Sequence, residues 1–194
     1  MFYIGIDPGS NGAISIIDEY GNFVAVHDMP MRWLIERKKP QKKSKFLADG
    51  VTPRKKTKIK QDTRKVVDGK ALFEILSAYS SLDVLCAMEF VSSKTGQGVK
   101  SMFSFGESVG CVKGVLESAG IKYRLVSSAA WQGHFQLTGG DKDSHKQRIM
   151  DKCRSMYPDV NYFGSRGGLK DGRSDAILIS RYYFEAGDNA IFVA

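Results

Sequence analysis

Four acidic side chains occupy positions where a carboxylate is costly, which makes them the first candidates for chemistry in this sequence. Asp7 ends the apolar run FYIGI, and Glu89 ends a second apolar run, VLCAM. A carboxylate at the end of a buried strand is unfavourable unless it is paired or bound to a metal ion. Asp171 and Asp175 lie four residues apart, so a helix would place both on one face, one turn apart.

Carboxylates from two neighbouring strand ends and from the start of a helix can converge on one point. Oxygen ligands of this kind suit a hard cation, Mg²⁺ or Mn²⁺. Two such ions, about 3.5–4 Å apart, activate water and stabilise the leaving oxygen in phosphodiester hydrolysis. Taken singly, the residues admit other interpretations: Asp171 and Asp175 as helix-dipole partners, Asp7 as a turn former in D-P-G, and Glu89 as an exposed charge.

The positive charge of the chain is concentrated in one segment. The 194 residues carry 29 Lys and Arg against 21 Asp and Glu, a formal net charge of +8. Residues 32–65 hold fourteen basic and three acidic side chains, so this segment is +11 and the rest of the chain is −3. We interpret it as a basic insert that binds nucleic acid, with Arg37, Lys38, Lys55 and Lys56 among the contacts; the alternative is a solvated loop without a partner.

The composition excludes several classes of protein. Apolar residues make up 42% and charged residues 26%, as in a folded domain rather than a disordered chain. No apolar run approaches the ~18 residues of a membrane span, and the N-terminus resembles neither a signal peptide nor a transit peptide. The three widely spaced cysteines favour a reducing, cytoplasmic setting and argue against a zinc site. We therefore expect one domain over 1–194 with no membrane partner.

The order of secondary-structure elements predicts an α/β fold with a mixed five-stranded sheet flanked by helices. Three short apolar runs separated by the turns DPGSN and DEYGN predict an antiparallel meander over 2–7, 12–17 and 23–27. The remaining expected elements are a helix over 69–80 capped by Asp68, a buried strand over 84–89, a helix over 99–118, a strand over 121–126, a short helix capped by Ser127 or Ser128, and helices over 144–156 and 173–186.

Three segments together resemble the RuvC-type Holliday junction resolvases, in particular the phage-type members. They are GIDPGSNGAISIID, AMEFVSSKTGQGVKSMFSFGESVGCVKGVLESAG and DGRSDAILIS, and the match covers most of the chain outside 32–65. The resemblance implies a ribonuclease-H-like fold, a homodimer, and carboxylates that bind Mg²⁺ or Mn²⁺ while four-way DNA junctions or other branched DNA are cut symmetrically. It implies a crossover junction endodeoxyribonuclease, working in the host-cell cytoplasm if a phage encodes it.

The resemblance also implies roles for single residues. Asp7 matches the first acid of the family, Glu89 the second and Asp175 the last. The family motif usually ends D-x-x-D, whereas residue 172 here is Gly, so Asp171 stands one residue early. Lys146 matches a lysine that assists catalysis by stabilising phosphate charge, the alternative being an ordinary surface lysine.

Further DNA contacts are expected near the acids. Lys94 and Lys100 flank a glycine loop that would let a phosphate backbone approach closely. Arg173 stands between the two terminal acids, where it would contact the scissile phosphate or balance their charge. The family often has an aromatic wedge where this chain has Ser92; either Phe90 or Phe103 substitutes for it, or junction opening works differently.

Two rival functions remain from the residues alone. The G-I-D-x-G turn also opens actin-like nucleotide-binding enzymes, although those need two such domains around a cleft. A non-catalytic DNA-binding accessory with purely structural acids is the second rival. In the predicted helix over 99–118, glycines at 106, 110 and 114 form a small-residue stripe suited either to a two-fold interface or to close packing on the sheet.

Overall fold

The computed structural model of the protein describes residues 1–36, 62–93, 96, 98–164 and 166–193. The strands are β1 Phe2–Ile6, β2 Ala13–Asp18, β3 Phe23–Asp28, β4 Met31–Glu36, β5 Asp62–Val67, β6 Val84–Phe90 and β7 Tyr123–Ser127. The helices are α1 Gly69–Ser77, α2 Val99–Ser118, α3 Ser128–His134, α4 Lys142–Met156 and α5 Asp171–Ala186, followed by a 3₁₀ turn over Gly187–Asn189. None of the helices in these ranges has the length and apolar character needed to cross a bilayer.

Five strands form one mixed sheet in the order β3-β2-β1-β6-β7. The meander β1–β2–β3 is antiparallel, as predicted, whereas β6 runs parallel to both β1 and β7. Because β6 lies between two strands and under helices on both faces, its sequence is a continuous apolar run rather than an alternating one. The sheet therefore brings the carboxyl ends of β1 and β6 side by side.

Helices cover both faces of the sheet, and the side chains of β1 alternate between the two resulting cores. Tyr3 packs in the core shared with α3, α4 and α5, whereas Ile4 and Ile6 pack in the core shared with α1 and α2. A Cβ at Gly5 would lie 2.2 Å from the Ala176 carbonyl oxygen. Glycine is thus needed there for α5 to cross β1 closely, and this crossing brings the start of α5 to the end of β1.

A two-stranded antiparallel ribbon, β4–β5, stands apart from the main sheet. Its register runs from Met31↔Val67 to Glu36↔Asp62, so both ends of the predicted insert are strands. The sequence analysis placed no strand here, because the density of charges obscures the alternation in MRWLIE. Chain 37–61, which carries most of the basic residues, joins the two strands.

Most helix predictions are confirmed. The second long helix spans Val99–Ser118, and Asp68 and Ser127 cap their helices by accepting hydrogen bonds from the Ala71 and Ala130 backbone N–H groups. The last helix begins at Asp171, two residues before the predicted start. This earlier start places Asp171 in the first turn of α5 and Asp175 in the second.

Candidate active site

The two strand-end acids are neighbours across the sheet. Ile6 pairs with Met88 in the parallel β1–β6 register, so Asp7 and Glu89 follow side by side at the ends of their strands. The Gly9 backbone N–H donates to Asp7 Oδ1 over 3.1 Å, which orients that carboxylate toward the turn after β1. A Cβ at Gly12 would lie 2.1 Å from the Asp7 carbonyl oxygen, so the turn closes this tightly only with glycine at that position.

Glu89 is held by a residue that the sequence analysis did not assign. The indole Nε1 of Trp131, on α3, donates to Glu89 Oε1 over 3.3 Å. Trp131 is only 1% exposed, so its ring is fixed by packing and offers Glu89 a stationary donor. Its only sequence signal is a large aromatic just after a helix cap, which is equally typical of a core residue.

The start of α5 is seated on the turn that follows β1. A Cβ at Gly172 would lie 2.2 Å from the Asn11 carbonyl oxygen and 2.6 Å from the Gly12 Cα. This contact requires glycine at residue 172. It brings Asp171 and Asp175 to the same edge of the sheet as Asp7.

Among the four carboxylates, Asp175 shows the effect of its neighbours. Burial, and after it the charges of Asp7, Glu89 and Asp171, raise the pKa of Asp175 well above its ordinary value, with Lys146 opposing this. Burial also raises the pKa of Asp7, and the hydrogen bond from Gly9 opposes it. Like charges gathered in a partly buried place are stable only when something positive compensates them.

Lys146, on α4, supplies part of that compensation through an ion pair with Asp171. A small cavity of about 190 Å³ opens beside this pair, and its walls include His145, Gln132 and Asp175. Neither His145 nor Gln132 was singled out from the sequence. Their place here depends on how α3 and α4 pack, which no local pattern reveals.

The donor set fits a hard divalent cation by its chemistry, since all four acids offer carboxylate oxygen and their mutual repulsion favours a cation. Within the described ranges, however, no three acidic, histidine or cysteine side chains stand close enough together to hold a metal ion as they are. Metal binding would therefore draw the carboxylates inward and compete with Lys146 for Asp171.

Two grooves flank the acids, and both begin at Asn11 of the turn after β1. The larger, about 700 Å³, is lined by Lys65 of β5 and by Lys100 and Ser104 of α2. The smaller, about 340 Å³, is lined by Arg166 and Lys170, and also by Asp171. Lysine, arginine and hydroxyl linings of this kind suit a phosphate backbone, which they bind without reading sequence.

The other predicted DNA contacts have varied locations. Lys100 is exposed at the start of α2 and lines the larger groove. Lys94, Arg37, Lys38, Lys55 and Lys56 lie outside the described residues, so their contacts stay predictions. Of the two aromatic candidates for a wedge, Phe103 is 72% exposed and Phe90 is 39% exposed.

Arg173 points away from the acids. Its Nε donates to Asp28 Oδ1 over 2.6 Å, and its Nη1 donates to the Asn161 carbonyl oxygen over 2.6 Å. The Arg173 and Lys170 side chains thus join β3 to the segment that precedes α5. A phosphate would have to compete with Asp28 for this guanidinium, so the expected DNA contact of Arg173 stays a prediction.

No family model matches the sequence, and no curated protein matches it. Among solved structures, the chain is similar to RuvC of T. thermophilus in complex with a Holliday junction substrate, with a TM-score of 0.57 and 14% identity over 100% of this chain and 99% of that one. It is also similar to the structure described as Thermus thermophilus RuvC, with a TM-score of 0.50 and 14% identity over 98% of each chain. The chain has this RuvC-like, ribonuclease-H-like α/β fold, as predicted, with the mixed sheet β3-β2-β1-β6-β7.

Proposed function

We propose that this protein is a metal-dependent endodeoxyribonuclease that cuts Holliday junctions or other branched DNA by phosphodiester hydrolysis in the cytoplasm. The observation that carries the proposal is the gathering of Asp7, Glu89, Asp171 and Asp175 at one edge of the sheet, where burial, and after it the charges of the other three acids, raises the pKa of Asp175 well above its ordinary value. A carboxylate with a strongly raised pKa beside other acids is typical of functional sites, which favours a role in chemistry over a purely structural one.

Each residue has a distinct part in this proposal. Asp7 and Glu89 would hold one Mg²⁺ or Mn²⁺ ion and Asp175, with Asp171, a second; the bound ions supply an activated water and charge stabilisation for the leaving oxygen. Trp131 keeps Glu89 in position through its indole N–H. Lys146 holds Asp171 and carries a positive charge beside the place where the phosphate would lie.

The outward face of α2 supports a homodimer. Ser108, Val112 and Leu116 turn one face of the helix into the core, and the opposite face carries Val99, Phe103 and the three glycines. A Cβ at Gly106, Gly110 or Gly114 would meet no atom within 4 Å, so the stripe does not pack against the described part of its own chain. Exposed glycines inside a helix each cost about 0.5–1 kcal/mol relative to Ala, and a second copy packed on the stripe would offset that cost.

The test is cleavage of labelled four-way junction, flap, Y-form and duplex DNA by the wild type and by Asp7→Asn and Glu89→Gln. We expect the wild type to cut branched DNA only when Mg²⁺ or Mn²⁺ is added. Both variants should lose cutting by at least about 100-fold, because an amide is a poor ligand for a hard cation, and should keep junction binding in EDTA. Asp159→Asn, an exposed acid away from the site, is the control.

Two results would decide against this proposal. Normal nicking by either variant would remove the carboxylates from the chemistry. Junction binding by the wild type without cutting, at any concentration of Mg²⁺ or Mn²⁺, would instead favour a non-catalytic DNA-binding accessory protein.

A further inference from the structure

The β4–β5 ribbon has two unlike faces. On the inner face, Val66 is buried and the Arg64 guanidinium pairs with Glu107 of α2, which fixes the ribbon to the helix. On the outer face, Trp33 is 63% exposed and Ile35 is 57% exposed. Trp33 pairs with Lys65 in the register, so the side chains of these two residues stand next to each other on that face.

Trp33 is an exposed aromatic side chain on a backbone that strand pairing holds in place. Six paired positions hold its backbone, and the Lys65 Nζ lies 5.4 Å from the centroid of the Trp33 ring. Single exposed apolar residues are common on protein surfaces. Here a tryptophan, an isoleucine and a lysine form one continuous patch on an anchored element, and nothing in the described part of the chain covers it.

The charge around the patch identifies the kind of partner. Lys65 also lines the larger groove, together with Lys100, so the patch adjoins a basic groove that reaches Asn11 of the turn after β1. The sequence joining the two strands, 37–61, contains eleven basic residues and one acidic residue. Protein interfaces are depleted in lysine, whereas an aromatic ring beside lysines is typical of surfaces that stack on the bases of a single strand and pair with its phosphates.

We propose that the outer face of the β4–β5 ribbon binds an unpaired nucleotide of branched DNA, with the base stacked on Trp33 and its phosphate near Lys65. The inference rests on the proposed function, because it gives the nuclease a contact for unpaired bases at a branch point. Inside a duplex each base face is covered by its stacked neighbours, and only the terminal pairs have an open face, so such a contact would favour branched over fully paired substrates.

The two tryptophans of the chain allow a direct measurement. Trp131 is 1% exposed and bonded to Glu89, so a change in emission that disappears in Trp33→Phe arises from Trp33. The full-length protein is titrated in EDTA with an oligothymidine strand and with a blunt duplex of matched phosphate number, and binding is followed in parallel by anisotropy of the labelled DNA.

We expect the strand to quench Trp33 emission, and the duplex to bind without quenching it. Trp33→Ala should weaken strand binding roughly 5- to 100-fold, the value of one lost base stack, and leave duplex binding unchanged. Trp33→Phe should retain most of the affinity for the strand. Tyr20→Ala is the matched control, since Tyr20 is an exposed aromatic, 76% accessible, on the turn between β2 and β3.

Several results would overturn the inference: equal quenching by duplex and strand, strand binding by Trp33→Ala at the wild-type affinity, or a change in oligomeric state of Trp33→Ala with unaltered DNA binding, which would make the face a protein contact. Melting curves of the variants verify that each is folded. These binding data are collected without metal. Failure of the proposed function would appear separately, as absence of cutting by the wild type in Mg²⁺.

Discussion

Asp175 is the acid of the site whose ionised form is disfavoured by the charges of the three others. It lines the cavity beside Lys146 and Asp171, and burial, followed by the charges of Asp7, Glu89 and Asp171, acts against its ionised form. A side chain kept under such conditions lowers the stability of the metal-free protein. The proposed role of Asp175 in metal binding and the stability of the metal-free protein therefore oppose each other.

Asp175→Asn should stabilise the metal-free protein, because it removes a buried charge from a cluster of like charges. We expect the free energy of unfolding in EDTA to rise by on the order of 1–2 kcal/mol, which is roughly 2–8 °C in Tm for a chain of this size. Mg²⁺ should raise the Tm of the wild type and have a smaller effect on the variant. Calorimetry in EDTA and in Mg²⁺ measures both, and a lower Tm of the variant in EDTA would contradict the prediction.

Gly172, three residues before Asp175 in α5, is required for a steric reason rather than an electrostatic one. Gly172→Ala would place a methyl group against the backbone of Asn11 and Gly12, so α5 must move away from the turn after β1. We expect a loss of about 2–3 kcal/mol in the free energy of unfolding. Gly133→Ala, at an exposed helical glycine with open space around it, is the matched control and should leave stability unchanged or raise it by up to about 1 kcal/mol. Urea melts of both variants distinguish the cases, and equal stabilities would show that the turn yields freely.

At the scale of elements, the link between β3 and the segment before α5 positions the helix that carries two of the acids. The hydrogen bond from Arg173, and also the bond and charge of Lys170, hold the pKa of Asp28 below its ordinary value, although burial opposes this. A lowered pKa means that the ionised carboxylate is favoured in the folded state. The stability that the ionised Asp28 carboxylate contributes is therefore fully present above the ordinary pKa of Asp, and it is lost as the pH falls through the lowered pKa.

Asp28→Asn should lower the Tm at pH 7 by roughly 1–4 °C, which corresponds to about 0.5–1 kcal/mol for a carboxylate that remains partly exposed. The difference from the wild type should shrink as the pH falls below the lowered pKa, where Asp28 is protonated in both states. Thermal melts of the two proteins between pH 7 and pH 2.5 measure it. A constant difference across that range would show that the ion pair has no part in acid stability.

The elements also show what the sequence could and could not predict. An acid directly after an apolar run is visible in one dimension, so Asp7 and Glu89 and the strands that carry them were predictable, and so was the mixed five-stranded sheet. Trp131, Gln132 and His145 reach the site only through the packing of α3 and α4 on α5, which has no local signature. β4 and β5 were missed because their pairing spans a long charged segment and their alternation is obscured by arginine and lysine.

At the scale of the whole molecule, the charge distribution separates two tasks. In the proposed nuclease, the acid cluster would repel DNA until cations bind there, whereas Lys65, Lys100 and the basic sequence 37–61 would attract it. The outward stripe of α2 offers a place for a second copy of the chain. A two-fold pair of such units would present two acid clusters to two strands of one branched substrate.

If the proposed dimer forms through α2, Gly110→Arg should leave the protein monomeric, because a long charged side chain would fill the exposed stripe of α2. We expect sedimentation equilibrium to give half the wild-type mass, with an unchanged helical circular dichroism signal, and paired cutting of a junction to be replaced by single nicks. Gly133→Arg, at an exposed glycine of α3, provides the control and should remain dimeric. A monomeric wild type, or a dimeric Gly110→Arg, would exclude α2 as the interface.

The β4–β5 ribbon has an evolutionary consequence. The pair at the base of the ribbon, Met31 and Val67, is buried or partly buried, and the inner face of the ribbon is fixed to α2. The elements that support the acids are therefore formed by residues outside 37–61. Because the paired strands are complete at Glu36 and Asp62, we expect the sequence between them to tolerate changes in length and composition while the main sheet keeps its register. The ribbon would thus be a point at which chains of this fold can carry different segments between the same two strands.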